Sequence, residues 1–480
     1  MPKYDYDLVV IGGGAAGFVS AKFANGLGKK VAIVEKDKLG GDCTWYGCVP
    51  SKALLKASHI AYQTRHLSSY GLLPDKESPV DSGRVMAHVR SVVQKVAQGH
   101  LPETFTALGI NVLLGTPRFR NNHELELGDT VLSAGSFIIS TGSSPFIPPV
   151  PGIDTVPYLT NKTIFDIDTL PESMVVIGGG PIGIELASAL NRLGMKVSVV
   201  HRHRTILNKE EDELTAILTQ KLREEGITFL MESQPLRLSR EQGKIRLDVE
   251  DKRNNASHLE TESVLIAVGR RPNVEGLNLE GAGVMCTERG VQADTRLRTT
   301  APNIYACGDV VGPYLFSHMA EYQALIAARN AFLPFKKKTD YRHVVWCTFT
   351  DPELAHAGLT EQEAREIYGD KIGVYRHEYR NTDRGKTDVA EIGIAKFICN
   401  SRGRLVGAHI LGSRAADVIH EAQLVKSLGI PFSKIYSAIH IYPTFSDVIK
   451  HPSKLSYIDS LLRNPFLRVL KKIAGKNGRQ

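Results

Sequence analysis

The sequence has few cysteines and no long apolar segment, and both absences narrow the classes of protein to which it can belong. Six cysteines occur in 480 residues, too few for the disulfide framework of a small secreted domain. No run of about 18 apolar residues is present, so no membrane-spanning helix is predicted. The amino-terminal MPKYDYDLVVIGGG lacks the charged start and cleavage site of a secretory signal. We therefore expect a cytoplasmic protein.

Charge of one sign is not concentrated along the chain either. Lysine and arginine number 59 against 51 acidic residues, for a net charge of +8, and they are scattered apart from KKK at 336–338 and a basic tail. No nucleic-acid-binding motif accompanies them, so we predict no nucleic-acid partner. The length suits two to four globular domains, each with its own core.

What the sequence does contain is a glycine-rich turn between two apolar runs near its start. DLVVIGGGAAG (7–17) leads into helix-like sequence and then into KVAIVE, which ends at Glu35. In such a unit Gly12 allows the tight turn, Gly14 the close approach of a pyrophosphate and Gly17 the packing of helix on strand. This pattern predicts a dinucleotide site in an α/β fold.

The same unit recurs later in the chain. SMVVIGGGPIG (173–183) is followed by helix-like IELASALNRLG and the strand KVSVV. Gly178, Gly180 and Gly183 take the three glycine positions. Two dinucleotide sites are therefore predicted, of which one can hold a flavin and the other a nicotinamide.

The two repeats differ at the end of their second strand. Glu35 lies 23 residues after Gly12, where a carboxylate can accept hydrogen bonds from ribose hydroxyls. The corresponding residue of the second repeat is His201, in the run HRHR. An acid there would repel a 2′-phosphate, whereas Arg202 and Arg204 would bind one bidentately. The first site therefore suits FAD, and the second suits NADPH better than NADH. The alternative is that HRHR is simply an exposed basic turn, which leaves NADH open.

Cys43 and Cys48, in GGDCTWYGCVPSK, have four residues between them and admit three interpretations. A staple closing so short a loop contributes only about 2 kcal/mol, and a chain with an ample core has little need of it. A zinc site requires two more ligands, and the neighbourhood supplies only His59, so we assign no metal site. Redox chemistry remains, because the pair directly follows the flavin unit and can pass two electrons by thiol–disulfide exchange.

Taken together, the motifs resemble those of the pyridine nucleotide–disulfide oxidoreductases, the family of glutathione reductase, dihydrolipoamide dehydrogenase and mercuric reductase. The matching segments are the redox motif GGDCTWYGCVPSKALL, the turn ISTGSSP (139–145), the nicotinamide-domain exit IAVGRRPN (266–273), the second FAD motif IYACGDV (304–310), and the dimerisation motifs WCTFTDPELAHAGLTEQEA and GAHILGSRAADVIHEA. The resemblance implies an α/β fold with two Rossmann-like domains, for FAD and NAD(P)H, and a C-terminal α+β dimerisation domain.

Domain boundaries follow from the same resemblance. The FAD-binding domain would be discontinuous, at 1–150 and 271–340, with the NAD(P)H-binding domain inserted at 151–270. The dimerisation domain would occupy 341–452, followed by a basic amphipathic tail at 453–480. The functional form would be a homodimer.

The resemblance also implies roles for individual residues. Cys43 would be the interchange thiol facing the substrate, and Cys48 the thiol that touches the flavin and forms the charge-transfer species. Lys52 would lie beside the reactive edge of the flavin, paired with Glu185 of the nicotinamide domain, since a buried lysine needs a carboxylate partner. The other cofactor contacts taken from the motifs are Thr141, Gly142, Gly269 and Asp309, of which Asp309 would bind the ribityl chain.

The carboxyl-terminal motif departs from the family pattern. Disulfide-reducing members finish with a His-Pro-Thr segment and an acid, and that histidine, supplied by the partner subunit, protonates the leaving thiolate. This chain reads HIYPTFSD (440–447), with Tyr442 in the place of the histidine and Asp447 where glutamate is usual. A tyrosine with a pKa of about 10 is a poor acid–base catalyst at neutral pH. The departure argues against reduction of glutathione disulfide or lipoamide chemistry.

Mercuric reductases are similar at this point, but they also carry a cysteine pair at the extreme C-terminus, and no cysteine follows Cys399 here. An amino-terminal metal-binding domain is not expected, because the FAD unit starts at residue 7. We predict an FAD enzyme that oxidises NADPH and charges the Cys43–Cys48 pair. Its acceptor would be a metal ion such as Hg(II), a quinone or a similar small oxidant. The alternatives are a dihydrolipoamide dehydrogenase or other low-molecular-weight disulfide reductase, and a catalytically inactive flavoprotein acting as a membrane-associated binding subunit.

The tail NPFLRVLKKIAGKNG predicts one further helix. Asn464 would be its N-cap, Pro465 its first residue and Gly475 its stop. Apolar and basic residues fall on opposite faces of this helix. We expect it to dock on its own dimer, with weak membrane-surface contact through residues 465–474 as the alternative.

Overall fold

The computed structural model describes residues 4–72 and 80–463 of the chain. The predicted tail helix and its alternative membrane contact therefore lie outside the described residues. Within the described ranges, no helix is both long and apolar enough to cross a membrane.

The strands and α-helices are distributed along the whole of the described chain. The strands are β1 (Tyr6–Ile11), β2 (Val31–Glu35), β3 (Asn111–Leu114), β4 (Pro117–Asn121), β5 (Glu124–Leu127), β6 (Thr130–Ile139), β7 (Ser143–Pro145), β8 (Tyr158–Leu159), β9 (Ser173–Ile177), β10 (Lys196–His201), β11 (Thr228–Met231), β12 (Ser233–Glu241), β13 (Lys244–Asp251), β14 (Ala256–Thr261), β15 (Ser263–Ile266), β16 (Arg270–Pro272), β17 (Cys286–Thr287), β18 (Gly290–Val291), β19 (Ile304–Ala306), β20 (Val345–Thr348), β21 (Glu353–Gly358), β22 (Gly373–Glu378), β23 (Ile394–Cys399) and β24 (Leu405–Gly412). The α-helices are α1 (Ala15–Gly26), α2 (Gly41–Trp45), α3 (Cys48–Thr64), α4 (Ser82–Ala97), α5 (Pro102–Thr106), α6 (Pro181–Arg192), α7 (Asp212–Glu224), α8 (Ser317–Phe332), α9 (Glu361–Tyr368), α10 (Asp383–Thr387), α11 (Ala415–Ser427) and α12 (Asp447–Arg463).

The first sheet is built around the first glycine turn. Its strand order is β3-β2-β1-β6-β5-β4, with β19 also paired to β6. The pairs that β1 makes with β2 and β6 are parallel, and Leu8 to Ile11 are at most 1% exposed, as expected for a parallel strand covered on both faces. Helices α1 and α8 pack together on one face through small side chains such as Ala21 and Ala324. The carboxyl end of β1 thus delivers Gly12 to the start of α1.

The second sheet repeats this arrangement around the second glycine turn. Its order is β11-β10-β9-β15-β8, and every pair in it is parallel. The antiparallel strands β12, β13 and β14 form a separate sheet that packs beside it through Leu238, Leu247 and Val249. Both dinucleotide units predicted from the sequence are therefore formed as parallel α/β structures.

The last part of the chain forms an antiparallel sheet, in the order β20-β21-β24-β23-β22. Helices α11 and α12 cover one face, where Ile419 and Val448 join the same apolar cluster as Phe397 and Ile410. The predicted fold class, two Rossmann-like units and a C-terminal α+β domain, is confirmed. The exact domain boundaries stay predictions.

Helices α2 and α3 follow β2 and carry the cysteine pair. Gly40, with φ of +107°, precedes α2, and α3 begins at Cys48. Leu54 of α3 is fully buried in a cluster with Met86 of α4 and Ile184 of α6. Because α3 is fixed by this packing, Cys48 is held at its amino-terminal end, where the helix dipole favours a negative charge.

Candidate active site

The first glycine turn has the geometry that a bound pyrophosphate requires. A Cβ on Gly12 would lie 2.4 Å from the carbonyl oxygen of Ser140, and one on Gly17 would lie 1.9 Å from the carbonyl oxygen of Gly12. Gly14 is the N-cap of α1 and provides no side-chain cap, so the first amides of the helix are available to an anion. Glu35 accepts a hydrogen bond from the Gly13 amide, with Oε2 2.7 Å from the nitrogen. These residues fit FAD.

The second FAD motif meets the first through a hydrogen-bonded chain. Ser143 donates its hydroxyl to Asp309, with Oγ 2.6 Å from Oδ2, and burial raises the pKa of Asp309. Arg270 donates from Nε to Ser143 Oγ at 2.6 Å, and its Nη2 lies 3.1 Å from Asp42 Oδ2 in the redox segment. Sequence reasoning missed Arg270, which stands next to the predicted contact Gly269; the run GRRPN contains it but does not show what it touches.

The turn residues Thr141, Gly142 and Gly269 lie where the chain passes between the two parallel sheets. Thr141 donates its hydroxyl to the carbonyl of Asn273 at 2.6 Å. Gly142 and Gly269 have φ values of +69° and +148°, which a side chain would strain. The structure therefore holds these three residues close to the hydrogen-bonded residues Arg270, Ser143 and Asp309. Their contact with a cofactor stays a prediction.

The second glycine turn repeats the first with one chemical change. A Cβ on Gly178 would lie 2.3 Å from the carbonyl oxygen of Ala267, and one on Gly183 would lie 2.1 Å from that of Gly178. Gly180 is the N-cap of α6. In place of a carboxylate, the Nδ1 atom of His201 accepts the Gly179 amide at 3.0 Å. His201 is thus the structural counterpart of Glu35.

The first turn has a carboxylate, Glu35, where the second has the imidazole of His201. Burial lowers the pKa of His201 to about 4, so the imidazole is neutral at pH 7. Arg202 and Arg204 are both exposed. Arg202 donates from Nε to His203 at 3.1 Å, and Arg204 pairs with Asp212 at 2.7 Å. The second turn therefore carries no negative charge of its own, and Arg204 is already partly neutralised.

The predicted pair Lys52–Glu185 is formed. The Lys52 Nζ atom lies 2.9 Å from Glu185 Oε2, and the other oxygen of Glu185 accepts the Phe349 amide at 2.8 Å. Lys52 Nζ also lies 4.4 Å from the centre of the Phe349 ring. Three parts of the chain, α3, α6 and the segment after β20, therefore converge on one ammonium group. The role of this pair beside a flavin stays a prediction.

The two cysteines, both free thiols, have unequal affinities for a proton. A hydrogen bond from Cys43 is the main cause that lowers the pKa of Cys48 to about 6, and Ser317 and the charge of Lys52 act in the same direction. The same hydrogen bond, together with burial, raises the pKa of Cys43. Ser317 Oγ lies 3.5 Å from Cys48 Sγ and could not be found from the sequence, because it lies 269 positions away. The pair is arranged so that Cys48 becomes the thiolate.

Tyr442 is exposed, and it is hydrogen-bonded to an aspartate that lies outside the 440–447 motif. Its hydroxyl donates to Asp383, with Oη 2.7 Å from Oδ2, and this bond raises the pKa of Tyr442. Asp447 is instead buried at the start of α12, with 6% of its surface exposed. Asp383 was missed because only the folded chain brings α10 next to the 440–447 segment.

The segment around Tyr442 is an unusually apolar surface. Ile439 and Ile441 are 101% and 81% exposed, and Tyr442 is 67% exposed. Large aliphatic side chains with this exposure are typical of an interface seen in one subunit alone. The surface therefore agrees with the predicted homodimer, in which this segment would meet the partner subunit.

Comparison with known sequences identifies the family. The profile described as pyridine nucleotide-disulphide oxidoreductase matches residues 6–331, and the profile of its dimerisation domain matches residues 344–453. The chain belongs to the pyridine nucleotide–disulphide oxidoreductase family, which confirms the resemblance drawn from its motifs. It is an oxidoreductase of a family that binds FAD and NAD(P)H, and its dimerisation domain supports a homodimer.

Individual relatives cover nearly the whole chain. The mercuric reductase of Bacillus cereus is 32% identical over 453 residues, 93% of this chain and 71% of the relative. The dihydrolipoyl dehydrogenase of Chlamydia muridarum is 32% identical over 467 residues, 96% of this chain and 98% of the relative. Among solved structures, the Cu(II) complex of the HOCl-induced flavoprotein disulfide reductase RclA from Escherichia coli is 28% identical, with a TM-score of 0.83 over 95% of this chain and 100% of that one.

Proposed function

We propose that this member of the family oxidises NADPH and uses the Cys43–Cys48 pair to reduce a metal ion rather than a low-molecular-weight disulfide. FAD, when bound, supplies the two-electron transfer from the nicotinamide to the cysteine disulfide. The proposal rests on Tyr442, which stands where disulfide reductases place an acid–base histidine. Its hydroxyl donates a hydrogen bond to Asp383 at 2.7 Å.

The unequal acidities of the two cysteines support their proposed role as the electron-donating dithiol. Cys48, with its pKa lowered to about 6, is mostly thiolate at pH 7, whereas the raised pKa of Cys43 keeps that thiol protonated. Lys52 adds a positive charge on the same side and is itself held by Glu185 at 2.9 Å. The chain thus stabilises the charge on one sulfur and leaves the other to meet the acceptor.

The presence of Tyr442 instead of a histidine supports an electron acceptor that releases no thiolate when it is reduced. Reduction of a small disulfide expels a thiolate, which a nearby acid must protonate at neutral pH. The hydrogen bond to Asp383 raises the pKa of Tyr442 above its ordinary value, so the phenol keeps its proton. A metal ion has no such leaving group, and the phenol oxygen can serve it as a ligand or hydrogen-bond donor.

The proposed reaction balances with the groups named. The Cys43 thiol and the Cys48 thiolate form one S–S bond and release two electrons and one proton. Two Cu(II) ions take one electron each and become Cu(I), or one Hg(II) ion takes both and becomes Hg(0). NADPH then returns two electrons and one proton, the equivalent of a hydride, and so restores the Cys43 thiol and the Cys48 thiolate. Relatives support the choice of acceptor, since they include a mercuric reductase and a disulfide reductase solved with Cu(II).

The second glycine turn supports NADPH as the donor. The neutral His201 in the place of an acid removes the repulsion that a carboxylate would exert on a 2′-phosphate. Arg202 is exposed beside it, and among the described residues its Nη atoms have no ion-pair partner. The turn therefore offers positive charge where NADPH carries its additional phosphate.

The test is anaerobic titration with NADPH, followed by addition of Hg(II) or Cu(II). Two-electron reduction should produce a long-wavelength absorbance band from the Cys48 thiolate against the flavin, and the metal should remove it. Cys48→Ser should abolish the band, whereas Cys43→Ser should show it before any NADPH is added but should not turn over metal. A wild-type protein that shows no band, or a Cys43→Ser protein that reduces metal at the wild-type rate, would refute the relay.

A further inference from the structure

We propose that Glu210, His356 and His409 form a buried site for a divalent transition-metal ion, separate from the redox cysteines. One potential ligand atom from each residue lies within 4.8 Å of the others. The ion would be a resident structural metal and not the acceptor, so the inference goes beyond the proposed function. The site is supported by the hydrogen bonds that fix Glu210, His356 and His409. It is also supported by the buried Nδ1 atom of His409, which has no hydrogen-bond partner among the described residues.

The three residues come from two parts of the fold. His356 in β21 and His409 in β24 are direct partners in the antiparallel register, and their rings stand edge to face with centres 4.5 Å apart. Glu210 comes from the loop between β10 and α7 and reaches this sheet from the nicotinamide-binding unit. The side chains of Glu210, His356 and His409 are 3%, 2% and 0% exposed. A metal here would be shielded from bulk solvent.

Both histidines are held in the way that metal-binding histidines are held. His356 Nε2 lies 2.8 Å from the carbonyl of Gly358, and His409 Nε2 lies 2.8 Å from the carbonyl of Leu359. A carbonyl can only accept, so each Nε2 carries the proton and each Nδ1 is left with a lone pair. Metal-binding histidines commonly donate their other ring N–H to a backbone carbonyl, which fixes the tautomer and the orientation of the ring. Glu210 is fixed likewise, since Trp346 Nε1 donates to its Oε1 at 2.5 Å.

A proton alone does not satisfy this cluster. A proton on His356 Nδ1 would account for its 2.8 Å contact with Glu210 Oε2. The Nδ1 atom of His409 would still be buried with no hydrogen-bond partner among the described residues. Leaving a buried polar atom without a hydrogen-bond partner destabilises the fold. A single ion bound to both Nδ1 atoms and to the Glu210 carboxylate satisfies all three.

The ligand set suits a zinc-like ion. Two imidazoles and one carboxylate can bind Zn²⁺ with bonds of about 2.0–2.2 Å and ligand atoms about 3.4 Å apart, and one bound water would complete the tetrahedron. Binding would therefore draw the most distant ligands together and open the Glu210–His356 contact.

The site would join two functional parts of the molecule. Glu210 ends the loop that begins at His201 and Arg202, the residues that face the proposed 2′-phosphate. Anchoring Glu210 to β21 and β24 would hold this loop against the C-terminal sheet. Sequence reasoning assigned no metal site because Glu210 and His356 lie 146 positions apart and neither belongs to a recognisable ligand spacing.

The experiment measures metal in the full-length FAD-loaded protein with the redox thiols removed by Cys43→Ser and Cys48→Ser. The protein is produced with Zn²⁺ in the medium, passed through a size-exclusion column, and analysed by plasma mass spectrometry. About one zinc per chain is expected. Adding His409→Gln or Glu210→Gln should lower the zinc content per chain at least fivefold. His258→Gln, at an exposed histidine of β14, should leave the zinc content unchanged.

A second measurement does not depend on whether the ligand variants fold. Zinc-edge X-ray absorption of the Cys43→Ser/Cys48→Ser protein should show only nitrogen and oxygen neighbours at about 2.0–2.1 Å, with imidazole outer-shell scattering. Absence of zinc from this protein would overturn the proposal in favour of a protonated His356–Glu210 ion pair. Sulfur scattering, or zinc that survives His409→Gln unchanged in a folded protein, would equally overturn it.

Discussion

Cys43 and Cys48 differ in acidity because of their neighbours and not because of their own chemistry. Cys48 stands at the first residue of α3, receives hydrogen bonds from Cys43 and Ser317 and lies near Lys52, and its pKa falls to about 6. Cys43 gains no comparable stabilisation of its anion, and its pKa rises. These contacts decide which of the two sulfurs carries the negative charge.

Ser317 is the contact that can be removed most cleanly. The Cys48 thiolate band of the two-electron-reduced protein should persist above pH 6 and fade as the pH falls through about 6, because the group's pKa is lowered to about 6. Ser317→Ala should move this midpoint upward by up to about one pH unit, since a hydrogen bond to a charged group contributes about 1.5 kcal/mol. Ser68→Ala, at an exposed serine, is the control. A midpoint that stays the same in Ser317→Ala would show that the serine does not stabilise the thiolate.

Arg202 and Arg204 are neighbours in sequence with different partners. Arg204 is paired with Asp212 at 2.7 Å, so Arg202 should contribute more to binding of a 2′-phosphate. Arg202→Ala should raise the KM for NADPH about 10-fold or more, the effect of about 1.5 kcal/mol or more, with little change for NADH. Arg204→Ala should have a smaller effect, and the exposed Arg253→Ala none. Steady-state assays with both nucleotides make the comparison, and equal use of the two by the wild type would count against NADPH.

The packing of helix α1 against the glycine turn requires glycine at position 17 but not at position 26. A Cβ on Gly17 would lie 1.9 Å from the Gly12 carbonyl oxygen, whereas one on Gly26, in the same helix, meets nothing within 4 Å. Gly17→Ala should therefore push α1 away from the turn and lower the FAD bound per chain at least fivefold, a loss of about 1 kcal/mol or more in binding. Gly26→Ala should bind FAD normally and unfold at the same temperature or a higher one. Flavin absorbance after size-exclusion chromatography and a thermal scan measure both. Equal flavin content in the two variants would contradict the assignment of the turn.

At the scale of the whole molecule, the sequence predicted what depends on short, fixed offsets. The glycine turns and the Cys43–Cys48 pair follow from local patterns, whereas the C-terminal α+β domain was expected only from the family resemblance. The fold class is confirmed. Lys52 and Glu185 were matched only through the family motif, although they meet at 2.9 Å. Arg270, Ser317 and Asp383 were missed, because each contacts its partner only after distant segments fold together, and an isolated arginine, serine or aspartate has no pattern of its own.

We propose that the protein delivers electrons from NADPH to metal ions and not to small disulfides, because Tyr442 supplies no acid–base chemistry. The measurement is a side-by-side anaerobic turnover assay of wild type and Tyr442→His with Hg(II), Cu(II), glutathione disulfide and lipoamide. The wild type should turn over the metals and reduce the disulfides poorly. Tyr442→His should raise disulfide turnover by about 100-fold or more, because a positioned general acid typically contributes about 10²- to 10⁴-fold, without raising metal turnover. Rapid lipoamide turnover by the wild type, unimproved in Tyr442→His, would contradict this account and identify a dihydrolipoamide dehydrogenase that functions with a tyrosine.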